Sequence, residues 1–175
     1  PPYVIKPLNE GSSVGVFIVL NGDNHRRLED EPWPFGDDVL VEKYIPGREI
    51  QVAVMGERAL GAIEIRPRGR FYDYETKYTE GKAEHFMPAP IHPKSYAEAL
   101  DIALCAHRTL GCRGVSRADL RYDDEVGEPG TFYLLEINTQ PGMTPLSLVP
   151  EIAADSGMTF SDLVAWMVEN ASCDN

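Results

Sequence analysis

The chain has 175 residues, enough for one domain or a large part of one. Its formal charge of −12, from 28 acidic and 16 basic side chains, argues against a nucleic-acid binder, whose phosphates need clustered Lys and Arg. No apolar run approaches the ~18 residues of a membrane-spanning helix, and no signal peptide is read.

The three cysteines, Cys105, Cys112 and Cys173, form no CxxC pair, and their odd number suits a reducing cytoplasm. The chain opens on Pro1-Pro2, without Met, and runs at once into a strand-like segment, which reads as a fragment of a longer protein.

Segment 3–6 predicts a first strand, ending at Lys6. Residues 9–15, Asn-Glu-Gly-Ser-Ser-Val-Gly, form a loop of small residues, and 16–20 predicts a second strand. The polar stretch 21–37, with Pro32 and Pro34, reads as a surface connection. Segments 39–44 and 50–55 predict strands joined across Pro46-Gly47, and 59–66 another after a turn at 56–58. Residues 67–93 carry Pro67, Gly69, Gly81, Pro88, Pro90 and Pro93 together with Phe71, Tyr72, Tyr74 and Tyr78. A long irregular stretch with that aromatic content predicts a loop covering an active site, not a disordered linker. Ser95 to Glu98 matches a capping box, and Tyr96, Leu100, Ala103, Leu104, His107 and Leu110 follow helical spacing up to Gly111. Segments 115–122 and 131–138 predict antiparallel strands around a turn at 123–130. A short helix over 146–154 follows. Thr159 and Asp162 cap a last helix that turns Phe160, Leu163, Val164, Met167 and Val168 inward. Strands outnumber helices and most joins are hairpins, so the fold class is α+β, with helices packed on mostly antiparallel sheets.

The segment Tyr133-Leu134-Leu135-Glu136-Ile137-Asn138 ends an apolar run in a carboxylate and, two residues on, a carboxamide. Side chains two apart on a strand share a face, so Glu136 and Asn138 present oxygens together. Arg117 and Asp119 share a face of the preceding strand by the same alternation. Two carboxylates that approach need a cation, or one must hold a proton. Hard cations such as Mg2+ take oxygen ligands and share them with phosphates. The four side chains read as the end of a nucleotide–metal site; a simple Arg117–Asp119 surface pair is the plainer alternative.

Lys6 with Gly11-Ser12-Ser13-Val14-Gly15 offers a point charge and backbone N–H groups to phosphate, or equally a hairpin turn, since no Walker lysine ends it. Glu42 can accept from an adenine amino group, the backbone at 43–45 can read the ring edge, and Glu49 can accept from ribose hydroxyls. The plainer alternative for Glu42 is an edge carboxylate paired with Lys43. Lys77-Tyr78 matter if the long loop closes over an anion. The Pro141-Gly142 turn before a short helix exposes N–H donors suited to a substrate carboxylate. His25, His85, His92 and His107 show no ligand spacing, and Ser12 and Ser147 show no triad signature, so hydrolase-type acyl transfer is not expected.

Together these segments resemble the ATP-grasp superfamily and, within it, the D-alanine–D-alanine ligase family. The resemblance rests on Val4-Ile5-Lys6-Pro7 with Glu10-Gly11-Ser12-Ser13-Val14-Gly15, and on Val41-Glu42-Lys43-Tyr44 with Gly47-Arg48-Glu49. It continues through Phe71-Tyr72-Asp73-Tyr74 with Lys77-Tyr78, and Gly114-Val115-Ser116-Arg117-Ala118-Asp119. It ends on Leu135-Glu136-Ile137-Asn138-Thr139-Gln140-Pro141-Gly142-Met143-Thr144 with Ser147-Leu148. Order and approximate spacing hold over nearly the whole chain.

The resemblance implies an ATP-grasp fold. Residues 1–66 would belong to the first nucleotide-binding lobe, and 67–175 would form the covering loop and the C-terminal subdomain. It implies a bacterial, cytoplasmic ligase that joins two D-alanines for peptidoglycan precursors, using ATP and two Mg2+ or Mn2+ ions. By the same resemblance, Lys6 and Lys77 bind ATP phosphates, while Glu42, the backbone at Lys43 and Ile45, and Glu49 hold adenosine. Asp119, Glu136 and Asn138 bind the metal ions, and Arg117 and the Gly142 N–H steady the developing oxyanion. Ser147, followed by Leu148 and aided by Lys77, binds the carboxylate of the second D-alanine, and Ser12 and Tyr78 organise the covering loop. The related D-alanine–D-lactate ligases carry histidine where this chain has Tyr78, so Tyr78 favours an amine nucleophile.

Members of the family are considerably longer. The region they carry before the Lys6 strand implies a glutamate for the first D-alanine's amino group, a further phosphate-binding lysine and part of a homodimer interface. The 175 residues alone are therefore expected to be inactive. A stand-alone nucleotide-binding module and a ligase for another amino acid are the alternative readings.

Overall fold

The computed structural model describes residues 1–11, 13–22, 33–67 and 83–173. These fall into two compact units, one built on the chain up to Ile45, the other on residues 46–66 and 84–173.

The first unit is a three-stranded sheet of β1 (Tyr3–Pro7), β2 (Phe17–Val19) and β3 (Val39–Lys43). Its order is β2-β1-β3, and both pairings are antiparallel. Gly15 has φ 70°, and a Cβ there would lie 2.6 Å from the Phe35 ring and 2.8 Å from Pro7. Only glycine combines that backbone with that contact. Phe35 stacks edge-on against Trp33, with ring centroids 5.0 Å apart.

The second unit is a five-stranded sheet with three helices. Its strands are β4 (Arg48–Met55), β5 (Arg58–Pro67), β6 (Ala83–Phe86), β7 (Val115–Asp123) and β8 (Thr131–Asn138), in the order β6-β5-β4-β7-β8. The helices are α1 (Pro93–Thr109), α2 (Leu148–Asp155) and α3 (Phe160–Glu169). Period-two alternation sorts the two central strands. Ile50, Val52 and Val54 of β4 and Ala118, Leu120 and Tyr122 of β7 join Ala99 and Ala103 of α1 in one buried apolar cluster. The opposite face of the same strands carries Glu49, Gln51, Arg117 and Asp119. The α+β class expected from sequence is the one observed.

Several local expectations change. Strands β3 and β4 are joined across Pro46-Gly47, as expected, without pairing with each other. They belong to different sheets, because Gly47, at φ 84°, turns the chain so that its α-carbon packs on the backbone of Tyr122 and Asp123. Strand β4 pairs antiparallel with β5 on one side and with β7 on the other. The irregular stretch 67–93 contains strand β6, and its residues 68–82 lie outside the described ones.

Helix α1 starts two residues before the expected capping box. Pro93 takes its first position and His92 caps it, accepting from the Lys94 N–H at 3.2 Å. Ser95 is instead fully buried and bonds the Tyr122 hydroxyl at 2.7 Å. The Thr159–Asp162 capping box of α3 is present as expected, and Leu163 is fully buried. Phe160 and Val168 of the same helix are exposed, because the buried contact centres on Leu163 alone.

Candidate functional site

In the first unit the register sets Val4 opposite Glu42 and Lys6 opposite Leu40, which makes Lys6 and Glu42 diagonal neighbours on one face. Lys6 Nζ lies 2.5 Å from Glu42 Oε2. The carboxylate turns to Lys6 because Lys43, next in the strand, points to the other face. Both ends of the pair are partly exposed, so the pair itself adds little stability. It leaves one lysine and one carboxylate side by side in reach of a ligand. In the small-residue loop, Val14 N–H donates to Gly11 O at 3.0 Å and Val16 N–H to Ser13 O at 3.4 Å. Those two donors are used within the loop. Three expected site residues, Ser12, Lys77 and Tyr78, lie outside the described residues, as does His25.

In the second unit four expected residues meet on adjacent strands. Asp119 stands directly opposite Glu136, and Arg117 opposite Asn138. Arg117 grips Asp119 with two parallel bonds, Nε to Oδ1 at 2.7 Å and Nη2 to Oδ2 at 2.9 Å. Such a fork is the strong form of a charge-assisted pair. Asp119 is 7% exposed, whereas Glu136 is open to solvent. Asn138 Nδ2 donates to Glu136 Oε1 at 3.1 Å. The register shifts between Asp119 and Leu120, leaving Leu135 as an extra residue on β8 beside Glu136. Bulges of this kind re-aim side chains next to functional sites.

Beyond β8 the chain turns into α2. Ser147 is the helix N-cap, yet its hydroxyl makes no cap bond. It turns back to accept from the Thr144 N–H at 2.9 Å and lies 2.9 Å from Thr144 Oγ1. A Cβ on Gly142 would come within 2.7 Å of Ser147 Oγ. A side chain at Gly142 would therefore displace the Ser147 hydroxyl, and no left-handed torsion adds to that demand.

The donor set suits Mg2+. Two carboxylates and one carboxamide on a single face are all hard oxygen ligands, and Mg2+ commonly completes such a pair with phosphate oxygens and water. Among the described residues no three His, Cys, Asp or Glu side chains cluster; the third oxygen-bearing side chain on this face is the amide of Asn138. Glu49 lies on the same face one strand away and accepts from Gln51 Nε2 at 3.0 Å. Sequence reasoning expected Arg117, Asp119, Glu136 and Asn138 to converge, and the structure brings them together; the closeness of Gly142 to Ser147 comes from the structure. Sequence reasoning missed Thr144 and Gln51, although alternation along 49–51 already put Gln51 on the face of Glu49.

The model of the family described as D-ala D-ala ligase C-terminus matches residues 1–169. The D-alanine–D-alanine ligase of Paramagnetospirillum magneticum is 62% identical over 175 residues, which is 99% of this chain and 56% of that protein. Among solved structures, the Bacillus anthracis D-alanine–D-alanine ligase complexed with ATP is 27% identical with a TM-score of 0.75, covering 97% of this chain and 52% of that one. The VanG D-Ala:D-Ser ligase of Enterococcus faecalis is 30% identical with a TM-score of 0.77, covering 97% and 49%. The chain thus spans about half the length of these relatives. The described fold is that of the ATP-grasp D-Ala ligases. The chain belongs to the D-ala D-ala ligase C-terminus family.

Proposed function

We propose that a full-length protein carrying this chain joins two D-alanines at the expense of ATP, for peptidoglycan precursors, in the bacterial cytoplasm. The observation that carries this reading is the convergence of Arg117, Asp119, Glu136 and Asn138 on one face of β7 and β8, followed by the Gly142–Ser147 turn. The γ-phosphoryl group of ATP passes to a carboxylate oxygen of the first D-alanine, leaving ADP and an acyl phosphate. The amine of the second D-alanine then attacks the acyl carbon, loses a proton and expels phosphate.

The physical obstacle is charge, because anionic phosphates must meet an anionic carboxylate. Positioning and fixed opposite charge overcome it. Mg2+ or Mn2+, as two ions held by Asp119, Glu136 and Asn138, would supply charge neutralisation on the phosphates. Arg117 is held by Asp119, so its guanidinium is oriented before substrate arrives. With the Gly142 N–H it faces the oxygen on which charge develops. Ser147, on the turn locked by Thr144, takes the carboxylate of the second D-alanine beside the Leu148 N–H. In the first unit, Lys6 takes ATP phosphates, and Glu42 with the backbone at Lys43 and Ile45 takes adenine; Glu49, on β4 of the second unit, takes ribose. Ser12, Lys77 and Tyr78 belong to the covering segments by resemblance, and Tyr78 supports D-alanine over D-lactate as the second substrate. Homodimerisation would run through the part of the family's proteins that lies outside this chain.

A coupled assay of D-alanine-dependent phosphate release tests the reading. The full-length protein should turn over with ATP and Mg2+, and its E136Q variant should lose that turnover with its fold intact. The 175 residues alone should be inactive. Phosphate release by the full-length protein that ignores D-alanine would overturn the ligase reading, and would favour a ligase for another amino acid or a nucleotide-binding module.

A further inference from the structure

We infer that Gln51 is a contact residue for the bound nucleotide, acting beside Glu49; the inference rests on the reading of Glu49 as the ribose acceptor. Gln51 lies in the middle of β4 and is 1% exposed. Its neighbours across the sheet are Ile63 on β5 and Asp119 on β7. Glu49 precedes it by two residues and shares its face. The amide therefore has an apolar wall on one side and two carboxylates on the others. The remaining buried positions of the strand, Ile50, Val52, Ala53, Val54 and Met55, are all apolar, so burial alone gives no reason for a glutamine here.

Gln51 Nε2 donates to Glu49 Oε1 at 3.0 Å. A carboxylate only accepts, so this contact fixes which way the amide points; the reverse would set two oxygens against each other. As a result Gln51 Oε1 is buried with no hydrogen-bond partner among the described residues. A buried acceptor without a donor is costly, and a folded chain keeps one where something else supplies the donor. The donor that fits is an O–H carried in by the nucleotide and its metal. One source is a ribose hydroxyl, with Glu49 taking one member of the vicinal diol and Gln51 the other. The second source is a water held by the metal at neighbouring Asp119. In either case Gln51 has two tasks, steadying the Glu49 carboxylate through its nitrogen and meeting the ligand through its oxygen.

Calorimetric titration of ATP into the full-length ligase carrying this chain tests this, with wild type, Q51L, Q51M and E49A. Both Gln51 variants should raise the Kd of ATP with Mg2+ by about tenfold, which is ~1.4 kcal/mol, while Tm stays level or rises because the orphan acceptor is gone. A glutamine that serves the fold alone gives the opposite, a lower Tm with an unchanged Kd, and that result overturns the inference. Two further arms separate the sources. With a ribose donor, the penalty vanishes for 2′-deoxy- or 3′-deoxy-ATP and survives removal of Mg2+. With a metal-held water, it survives in the deoxynucleotides and vanishes without Mg2+. A penalty equal in every arm assigns the effect to Glu49 alone and overturns the direct contact. E49A isolates the underlying reading: if it leaves ATP affinity unchanged, the ribose assignment fails, whereas a loss in E49A without one in the Gln51 variants sinks only the present inference.

Discussion

Glu64 sits on β5 with 1% of its surface exposed, and replacing it by glutamine tests how the second unit is held together. Its carboxylate bonds Arg48, and it accepts from Arg66 Nε at 2.6 Å and Nη2 at 3.0 Å. Burial pushes the Glu64 carboxyl up; the hydrogen bonds from Arg48 and Arg66 outweigh that and hold it below its ordinary 4.5. Removing one partner of a buried pair costs about 3–5 kcal/mol, because the other charge stays behind. Arg48 keeps Asp124 and Glu128 at 3.5 Å, and Pro90 O at 2.8 Å, so the lower end of that range, about 3 kcal/mol, applies to E64Q. For a chain of this length that is a fall in Tm of about 6–12 °C.

The sign with pH follows from the direction of the shift. The folded state binds this proton more weakly than the unfolded state. The stabilisation is complete above 4.5 and is lost as pH falls through the depressed folded value. Urea unfolding of wild type and E64Q at neutral pH, and in steps below pH 4.5, is the assay. The gap between the two proteins should narrow in acid. A gap under about 1 kcal/mol at neutral pH, or one that stays constant down the acid series, refutes the reasoning.

Gly142→Ala would push Ser147 Oγ from its place, since the new Cβ would meet it at 2.7 Å. On the proposed function, in the full-length protein this should raise KM for the second D-alanine by about tenfold, the worth of one hydrogen bond to a charged group, and leave KM for ATP unchanged; equal KM values for D-alanine would remove Ser147 from the site. His107 is buried and bonds Ser116 Oγ at 2.7 Å. Burial, aided by Arg108 and opposed by Glu57, holds its pKa below the ordinary 6.5. The unfolded chain therefore binds this proton more readily, and stability should decline as pH drops below 6.5 in wild type but not in His107→Gln. Thermal melts across that range decide it, and matching slopes would exclude His107 as the cause.

Alternation made most of the second unit readable from sequence. The β7 and β8 segments were legible because each interleaves apolar residues with Arg117, Asp119, Glu136 and Asn138, and the 131–138 bounds were met in full. Thr159 and Asp162 carried their own signal, because a capping box is a local device. What escaped were features set by distant backbone. Ser95 reads as a cap until Tyr122, 27 residues on, claims its hydroxyl. Pro46-Gly47 reads as a join between strands, and only the structure shows Gly47 packed on Tyr122. The Lys6–Glu42 pair joins residues read for two parts of one nucleotide, and only the β1–β3 register shows that they touch. Thr144 was overlooked because its role depends on a serine hydroxyl declining its usual cap. Gln51 was overlooked because an amide in a strand carries no motif.

The central claim is that Asp119, Glu136 and Asn138 form a metal corner serving the nucleotide. Its most direct test is titration of Mn2+, followed by electron paramagnetic resonance, into the full-length protein with bound ADP, for wild type and E136Q. Loss of one carboxylate ligand should weaken Mn2+ binding at least ~10-fold while the circular-dichroism melt stays unchanged. Equal Mn2+ affinity in the two proteins would contradict the account.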